Sequence, residues 1–338
     1  MHMKKSNTLN RRQILQSAIA APMALHAQFS GAQSQDFPTR PVKVTVPFAA
    51  GGSVDQMARY IGGKLLPKWG QPLVVESRAG ANSLVGTTYV AKAPADGYNI
   101  LMAADPAFSI IPLLNKNMPY NADKDFAPLS IMCQISFLLV AHGSFPANNF
   151  QEFVAYAKAN PGKVSYSSPG IASQHHVMFE VLANRLGIEL LHVPYQGIAP
   201  SMSALLAGEV NLLLGALALP LSHIRSGRIK ALAFAGTERH PLLPQVPTVL
   251  QAGGIAFEAR SWFGAFAPAA TPKDIVQKMS NDIWDVTSSK DFSENFLIPN
   301  GYDPINTIKP SQFVKFLQDD RARWEKAIAL IPPDKLKT

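Results

Sequence analysis

Between Val42 and Arg59 the chain reads V-K-V-T-V-P-F-A-A-G-G-S-V-D-Q-M-A-R. Three alternating β-branched residues, Val42, Val44 and Val46, specify a strand, and Pro47 ends it because proline has no N–H to give a ladder. Ala49, Ala50, Gly51, Gly52 and Ser53 are small enough for the backbone to approach another molecule closely. Asp55 then opens a helix with Met57, Ala58, Ile61 and Leu65 on its apolar side. A strand, a glycine loop and a helix start confine the chain to sheets built with crossover helices. They also bring unpaired N–H groups, the positive end of a helix dipole and the Ser53 hydroxyl to one small volume, an anion cradle. A Gly-Gly loop is equally ordinary strand-to-helix chemistry. Neither G-x-x-x-x-G-K-[ST] nor G-x-G-x-x-G is present, so nucleotide phosphates are disfavoured.

Ahead of this unit, Lys4, Lys5, Arg11 and Arg12 precede a short apolar run from Ile14 to Leu25, followed by small residues near Ala27 and Ala32. This is the pattern of a cleaved secretory leader over residues 1–35. The run holds roughly a dozen apolar residues where a membrane span needs about 20. Asn10-Arg11-Arg12-Gln13-Ile14-Leu15 approaches a twin-arginine signal, which leaves the general and the twin-arginine export routes both open. The leader holds four of the 31 Lys and Arg residues and none of the 23 acids, so the formal charge falls from +8 for the whole chain to +4 for the mature part. With no basic block, nucleic acid is excluded as a partner. Cys133 is the single cysteine, so no internal disulfide is available and an exported protein must rely on its core, for which 47% apolar residues suffice.

From residue 41 the sequence alternates strand and helix, the rhythm of a parallel sheet. Strands are expected at Val42–Val46, Leu73–Glu76 and Asn99–Ala103, with helices at Asp55–Leu66 and Leu84–Ala93. After a strand at Phe137–Ala141 the alternation restarts. Helices at Phe150–Ala159, Ser173–Leu186 and Pro200–Ala207 separate strands at Val164–Ser167, Leu190–Val193 and Asn211–Leu214, and a short helix to Arg225 precedes a strand at Ala231–Phe234. Trp262–Ala267 reads as an aromatic strand, and the amphipathic helices Pro272–Ser288 and Pro310–Leu330 return to the first unit. The expected organisation is two α/β lobes: 36–136 with 260–338, and 137–259. Crossovers near Ser136 and Arg260 form a hinge that lets the lobes close on a ligand.

Ligands of open α/β sheets bind beyond the carboxyl ends of the strands. Three further loops lie there. Ser167-Ser168-Pro169-Gly170-Ile171-Ala172-Ser173-Gln174-His175-His176 follows a strand and opens a helix at Ser173, a good N-cap. His192-Val193-Pro194-Tyr195-Gln196-Gly197-Ile198-Ala199-Pro200 repeats the plan, with Pro200 suited to a first helical turn. Tyr195 has two places open to it, facing the cleft or packing beneath it. The third is Ala103-Ala104-Asp105-Pro106, where Asp105 is a ligand group or a helix cap. A hydrolase using Ser168 or Ser173 with His175 or His176 is the enzymatic alternative. It lacks the G-x-S-x-G elbow and a clear acid partner. Adjacent histidines on one helix point to different faces, which argues against a metal pair.

Taken in order, several segments resemble one known family. They are Pro47-Phe48-Ala49-Ala50-Gly51-Gly52 through Asp55, Val75-Glu76-Ser77-Arg78 with Gly80, and Ala91-Lys92-Ala93-Pro94-Ala95-Asp96-Gly97-Tyr98. Pro119-Tyr120, Lys124-Asp125-Phe126-Ala127-Pro128, and Ser168 with Gly170 and His176 continue the series. Val193-Pro194-Tyr195 with Gly197 and Ala199-Pro200, Pro244 to Pro247 with Thr248, and Trp262-Phe263-Gly264 with Ala267-Pro268 complete it. No single motif is specific; their common register is. From about residue 36 onward the chain resembles the extracytoplasmic receptors of tripartite tricarboxylate transporters, the Bug-type receptors.

The resemblance implies a type II periplasmic binding protein fold, α/β, with two lobes around a cleft. It implies a monomeric receptor without catalysis or cofactor, which binds a carboxylate in the periplasm and delivers it to membrane permease subunits. It further implies that the loop Phe48–Asp55, with Ala50, Gly51, Gly52 and Ser53, holds the carboxylate together with Ser168, Gly170, Ser173 and His176, helped by Gly197, Ile198 and Ala199. Ala104, Asp105 and Tyr195 join the expected site. The chain departs from the family pattern at Ser53 and Val54, at Pro169 to Ala172, at Ile198 and at Gly215, where polar groups have become apolar or lost their side chain. A cleft stripped of polar groups suits a ligand with an apolar body, an aromatic acid before a citrate-like one. A sensory receptor docking onto a kinase ectodomain is the competing role.

Overall fold

The computed structural model describes residues 37–81, 83–171, 173–305 and 307–336. The expected leader at residues 1–35, and Ala172 of the second loop, lie outside the described residues.

The first unit is β1 (Val42–Val46), α1 (Ser53–Trp69), β2 (Leu73–Ser77), α2 (Leu84–Ala91) and β3 (Asn99–Ala104). Val42, Val44 and Val46 are fully buried, and Met57, Ala58, Ile61 and Leu65 of α1 pack over the same core, as the two periodicities require. The helix runs past Leu66, through Pro67, to Trp69. Pro67 removes one intrahelical bond close to the end, while the Trp69 indole N–H donates to Asp282 at 2.8 Å and holds the last turn down. Gly70 then ends the helix with φ 62°, a left-handed conformation open to glycine.

β4 (Phe126–His142) is the longest strand and the pivot of the molecule. The sequence pattern places its start at Phe137; the strand begins eleven residues earlier because register shifts at Pro128/Ser130 and Ile131/Cys133 break the period-2 alternation that would have marked it. The second unit follows with α3 (Phe150–Ala159), β5 (Val164–Ser168), α4 (Gln174–Leu186), β6 (Leu190–Pro194), α5 (Ile198–Ala207), β7 (Leu212–Ala216) and β8 (Ile229–Phe234). β9 (Arg260–Pro268), α6 (Lys273–Thr287) and α7 (Pro310–Ile328) return to the first.

The strands pair in the order β2-β1-β3-β9-β4 on one side and β6-β5-β7-β4-β8 on the other. In each half four strands run one way and one runs against them, β9 in the first and β4 in the second, and β4 serves both halves. Residues Phe126 to Ser136 of β4 pair with β9, and from Phe137 onward its partner is β7. The other crossover runs beside it: Arg260 opens β9 opposite Ser136, while the preceding Ala259 accepts from Phe137 N–H at 3.3 Å and donates to Ala235 at 2.8 Å. This is the two-lobed arrangement of type II binding proteins. The carboxyl ends of β1, β5 and β6, with the helix starts of α1, α4 and α5, turn toward one another across the pivot.

Candidate ligand-binding site

A cavity of about 430 Å³ lies where these strand ends meet. One wall is the start of α1, with Phe48, Gly52, Ser53 and Val54; the facing wall is Pro169, Ser173, Gln174 and His175 at the start of α4, with Ile198 at the start of α5. Ile135 and Phe137 of β4 and Phe263 of β9 form the floor, and Ala216 at the end of β7, with Ala218 and Leu219 after it, closes one side. A larger hollow of about 630 Å³ sits between α4 and α7, lined by Met178, Arg185, Phe257 and Trp324. None of the strand-end loops reaches it, which makes the smaller cavity the candidate site.

The donors come from backbone. Gly52 begins α1 with no side-chain cap, and the first N–H bonded within the helix is that of Gln56, to Gly52 at 3.0 Å. The N–H groups of Ser53, Val54 and Asp55 therefore stand at the positive end of a long helix. α5 starts in the same way at Gly197, whose φ of 120° requires glycine, and again no side chain caps it. α4 differs: Ser173 Oγ accepts from His176 N–H at 3.3 Å, which leaves the hydroxyl hydrogen of Ser173 to donate into the cavity.

Among the described residues lining the cavity there is no Lys, Arg, Asp or Glu. Burial pulls the His175 imidazole down to about 4, so it is neutral near pH 7, and its ring meets Phe137 edge-on at 5.1 Å. Burial pushes the Tyr302 phenol up, against a hydrogen bond from the Ser53 side that favours its ionised form. The cavity thus has one donor-rich, positively polarised end and largely apolar walls, a shape for an anion attached to an apolar body.

The expected site residues divide into three groups. Phe48, Gly52, Ser53, Ala104, Ser173 and Ile198 line the cavity. Ala50, Gly51, Gly170, Gly197 and Ala199 belong to the same loops without lining it, and Tyr195 sends its hydroxyl toward Glu209 at 3.2 Å. The third group lies behind the wall. Asp55 is 2% exposed, binds Arg59 with both oxygens at 2.9 and 3.1 Å, and accepts Gly51 N–H at 3.2 Å, which fixes the glycine loop. Asp105 is fully buried and accepts from the Ser261 hydroxyl and from Gln174 Nε2, the latter at 2.7 Å. Burial, reinforced by the nearby Asp320 charge, holds its carboxyl well above the usual range. Ser168 is fully buried, with Oγ 2.6 Å from His192 Nε2, and His192 stacks on His176 at 3.8 Å. The serine–histidine pair of a hydrolase therefore falls on Ser168 and His192, shut away from the cavity, and not on the histidines that open α4.

Sequence reasoning missed Gln174, His175, Ser261, Phe263, Tyr302 and the β4 residues as lining groups. His175 was legible as one of two adjacent histidines on different helix faces and as a candidate base of the hydrolase alternative, not as a group of the ligand cavity. Phe137 and Phe263 carry a signal in retrospect, since both sit at the expected crossovers. Tyr302 reaches the site from a segment with no pattern of its own.

Comparison with known proteins agrees with this geometry. Residues 57–332 match the model of the family described as tripartite tricarboxylate transporter family receptor. A UPF0065 protein from the tcbD-tcbE intergenic region of Pseudomonas sp. strain P51 is 34% identical over 333 residues, which is 97% of each chain. The solved structure of the R. palustris protein Rpa4515 with adipate superposes with a TM-score of 0.79 at 30% identity, covering 87% of this chain and 98% of that one. That of the periplasmic binding protein BugD superposes with a TM-score of 0.75 at 34% identity, covering 87% and 98%. A two-lobed cleft with a donor-rich end, a match over most of the length and relatives of equal extent lead to one conclusion: the chain belongs to the tripartite tricarboxylate transporter receptor family, the Bug-type solute receptors.

Proposed function

We propose that this receptor works in the periplasm, captures a small carboxylate with an apolar body, and hands it to the permease subunits of a tripartite transporter. The observation that carries the ligand class is the cavity lining. Helix N-termini supply the donors for one carboxylate, and the remaining walls are mostly apolar, from Phe48, Val54, Ile135, Phe137, Ile198, Leu219 and Phe263, with Gln174, His175, Ser261 and Tyr302 among them. The adipate bound by the Rpa4515 relative supports a carboxylate ligand in this cleft. A basic, apolar leader at residues 1–35 supports export, and among the described residues no helix is long and apolar enough to cross a membrane.

The test is a thermal-shift screen of the protein lacking residues 1–35 against aliphatic and aromatic mono-, di- and tricarboxylates, followed by calorimetry. A ligand at about 100 times its Kd adds roughly 2.7 kcal/mol, several degrees for a chain of this size. Tighter binding of benzoate-type than of citrate-like acids is expected. The reverse order would keep the receptor and discard the apolar-body assignment.

A further inference from the structure

We infer that the cleft prefers a carboxylate with a single negative charge whose far end carries a hydrogen-bond donor, an O–H or N–H read by Gln174, and that Asp105 positions Gln174 for this role. The inference rests on the carboxylate reading above and concerns the other end of the ligand.

Gln174 lines the cavity at the start of α4. Its Nε2 lies 2.7 Å from Asp105 Oδ2 and 3.3 Å from the Arg260 carbonyl, so both of its hydrogens are committed. The Arg260 carbonyl can only accept, which requires the amide atom facing it to be the nitrogen, with Asp105 Oδ2 accepting its second hydrogen. The free polar atom is then Oε1, which accepts nothing among the described residues. Asp105 itself is locked by the Ser261 hydroxyl on its other oxygen, and Ser261 and Asp105 both belong to the opposite half of the molecule from Gln174. The wall therefore shows the ligand an acceptor whose orientation is set from across the pivot.

An acceptor wall has a definite selectivity. A ligand O–H or N–H is paired there, whereas a second carboxylate meets Oε1 with no cation in the wall, because none of the described residues lining the cavity is Lys or Arg and His175 is held neutral. A plain methyl end leaves Oε1 unpaired and falls between the two.

The experiment compares two matched sets by calorimetry at pH 7: hexanoate, 6-hydroxyhexanoate and adipate, and benzoate, 4-hydroxybenzoate and terephthalate. The expected order in at least one set is hydroxy acid, then parent acid, then diacid, with about tenfold between the first two. Gln174→Met should weaken the hydroxy acid about tenfold relative to the parent acid, which removes the preference. Asp105→Ala should erase the same preference, and Asp105→Asn, which keeps an oxygen for the Gln174 amide, should restore it. A merely structural role for Asp105 would instead weaken all six acids together. Diacids binding as tightly as hydroxy acids in both sets, or a hydroxy preference that survives Gln174→Met, overturns the inference and leaves the carboxylate receptor intact. Failure of all six acids to bind overturns both.

Discussion

Asp55 shows how a residue expected at the ligand can serve it from behind. Its carboxylate holds Gly51 N–H and Arg59, and Gly51 sits at φ 79°, so the loop that presents the α1 N–H groups is pinned at its tightest point. The hydrogen-bonded Arg59 guanidinium keeps the Asp55 carboxyl below its ordinary value of 3.8. A depressed folded-state pKa contributes stability that is complete above about 3.8 and is lost as pH falls through the lower folded value. Asp55→Asn keeps the size but loses the charge, so it should destabilise by about 1–3 kcal/mol at pH 7. Its urea midpoint should converge on that of the wild type in strong acid. A gap of constant size from pH 7 to pH 2 would show that the ion pair is not what Asp55 contributes. Ligand affinity should fall with the same substitution, since the cradle loses its fixed shape without losing any atom that lines it.

At the scale of elements, β5, β6 and α4 are joined by a buried aromatic stack. Tyr166 lies on His192 at 4.9 Å, His192 on His176 at 3.8 Å, and the Tyr166 hydroxyl donates to Glu180 at 2.6 Å. Burial brings His175, His176 and His192 each to about 4, below the ordinary 6.5, and for His192 the neighbouring His176 adds to the effect. Here the unfolded chain binds more protons than the folded one between pH 6.5 and about 4, so stability rises with pH across that window. Acidification from pH 7 to 4.5 should lower the urea midpoint steeply, well above the range in which Asp55 titrates, and His192→Phe should flatten part of the slope. A midpoint that does not move over this range would mean that the histidines are charged in the folded state. None of this stack was legible in the sequence, because it joins residues from two strands and a helix whose packing is a tertiary fact. What was legible is local. Val42, Val44 and Val46 with Pro47 announce β1, and Asn160-Pro161-Gly162 and Gly187 mark the ends of α3 and α4. The first half of β4 was hidden by Pro128 and its bulges, and the inner wall of the site was hidden for a related reason. The strand-end loops follow a rule of topology, whereas Ser261, Phe263 and Tyr302 arrive from chain more than 60 residues away from the loops they face.

For the whole molecule the decisive feature is that both connections between the sheets pass through one narrow region. β4 changes partner between Ser136 and Phe137, and the chain returns between Ala259 and Arg260. A third segment braces the same point. Asp303 exchanges backbone hydrogen bonds with Gln134 at 3.0 and 2.9 Å, and its carboxylate accepts Ser136 N–H at 2.9 Å. We propose that the two halves move as lobes about this region, because rotation there disturbs a few backbone torsions while the cores packed on each sheet stay intact. The cavity walls come from both halves, so a ligand gains its full set of contacts only in a closed form and shifts the population toward it. Small-angle scattering should therefore give a smaller radius of gyration at saturating ligand than without it. Asp303→Ala loosens the brace without touching a residue that lines the cavity, so it should widen that difference by letting the empty protein open further. The same radius with and without ligand, measured on a protein that calorimetry shows to be saturated, would mean that the cleft is preformed and that the paired crossovers act as a rigid spine.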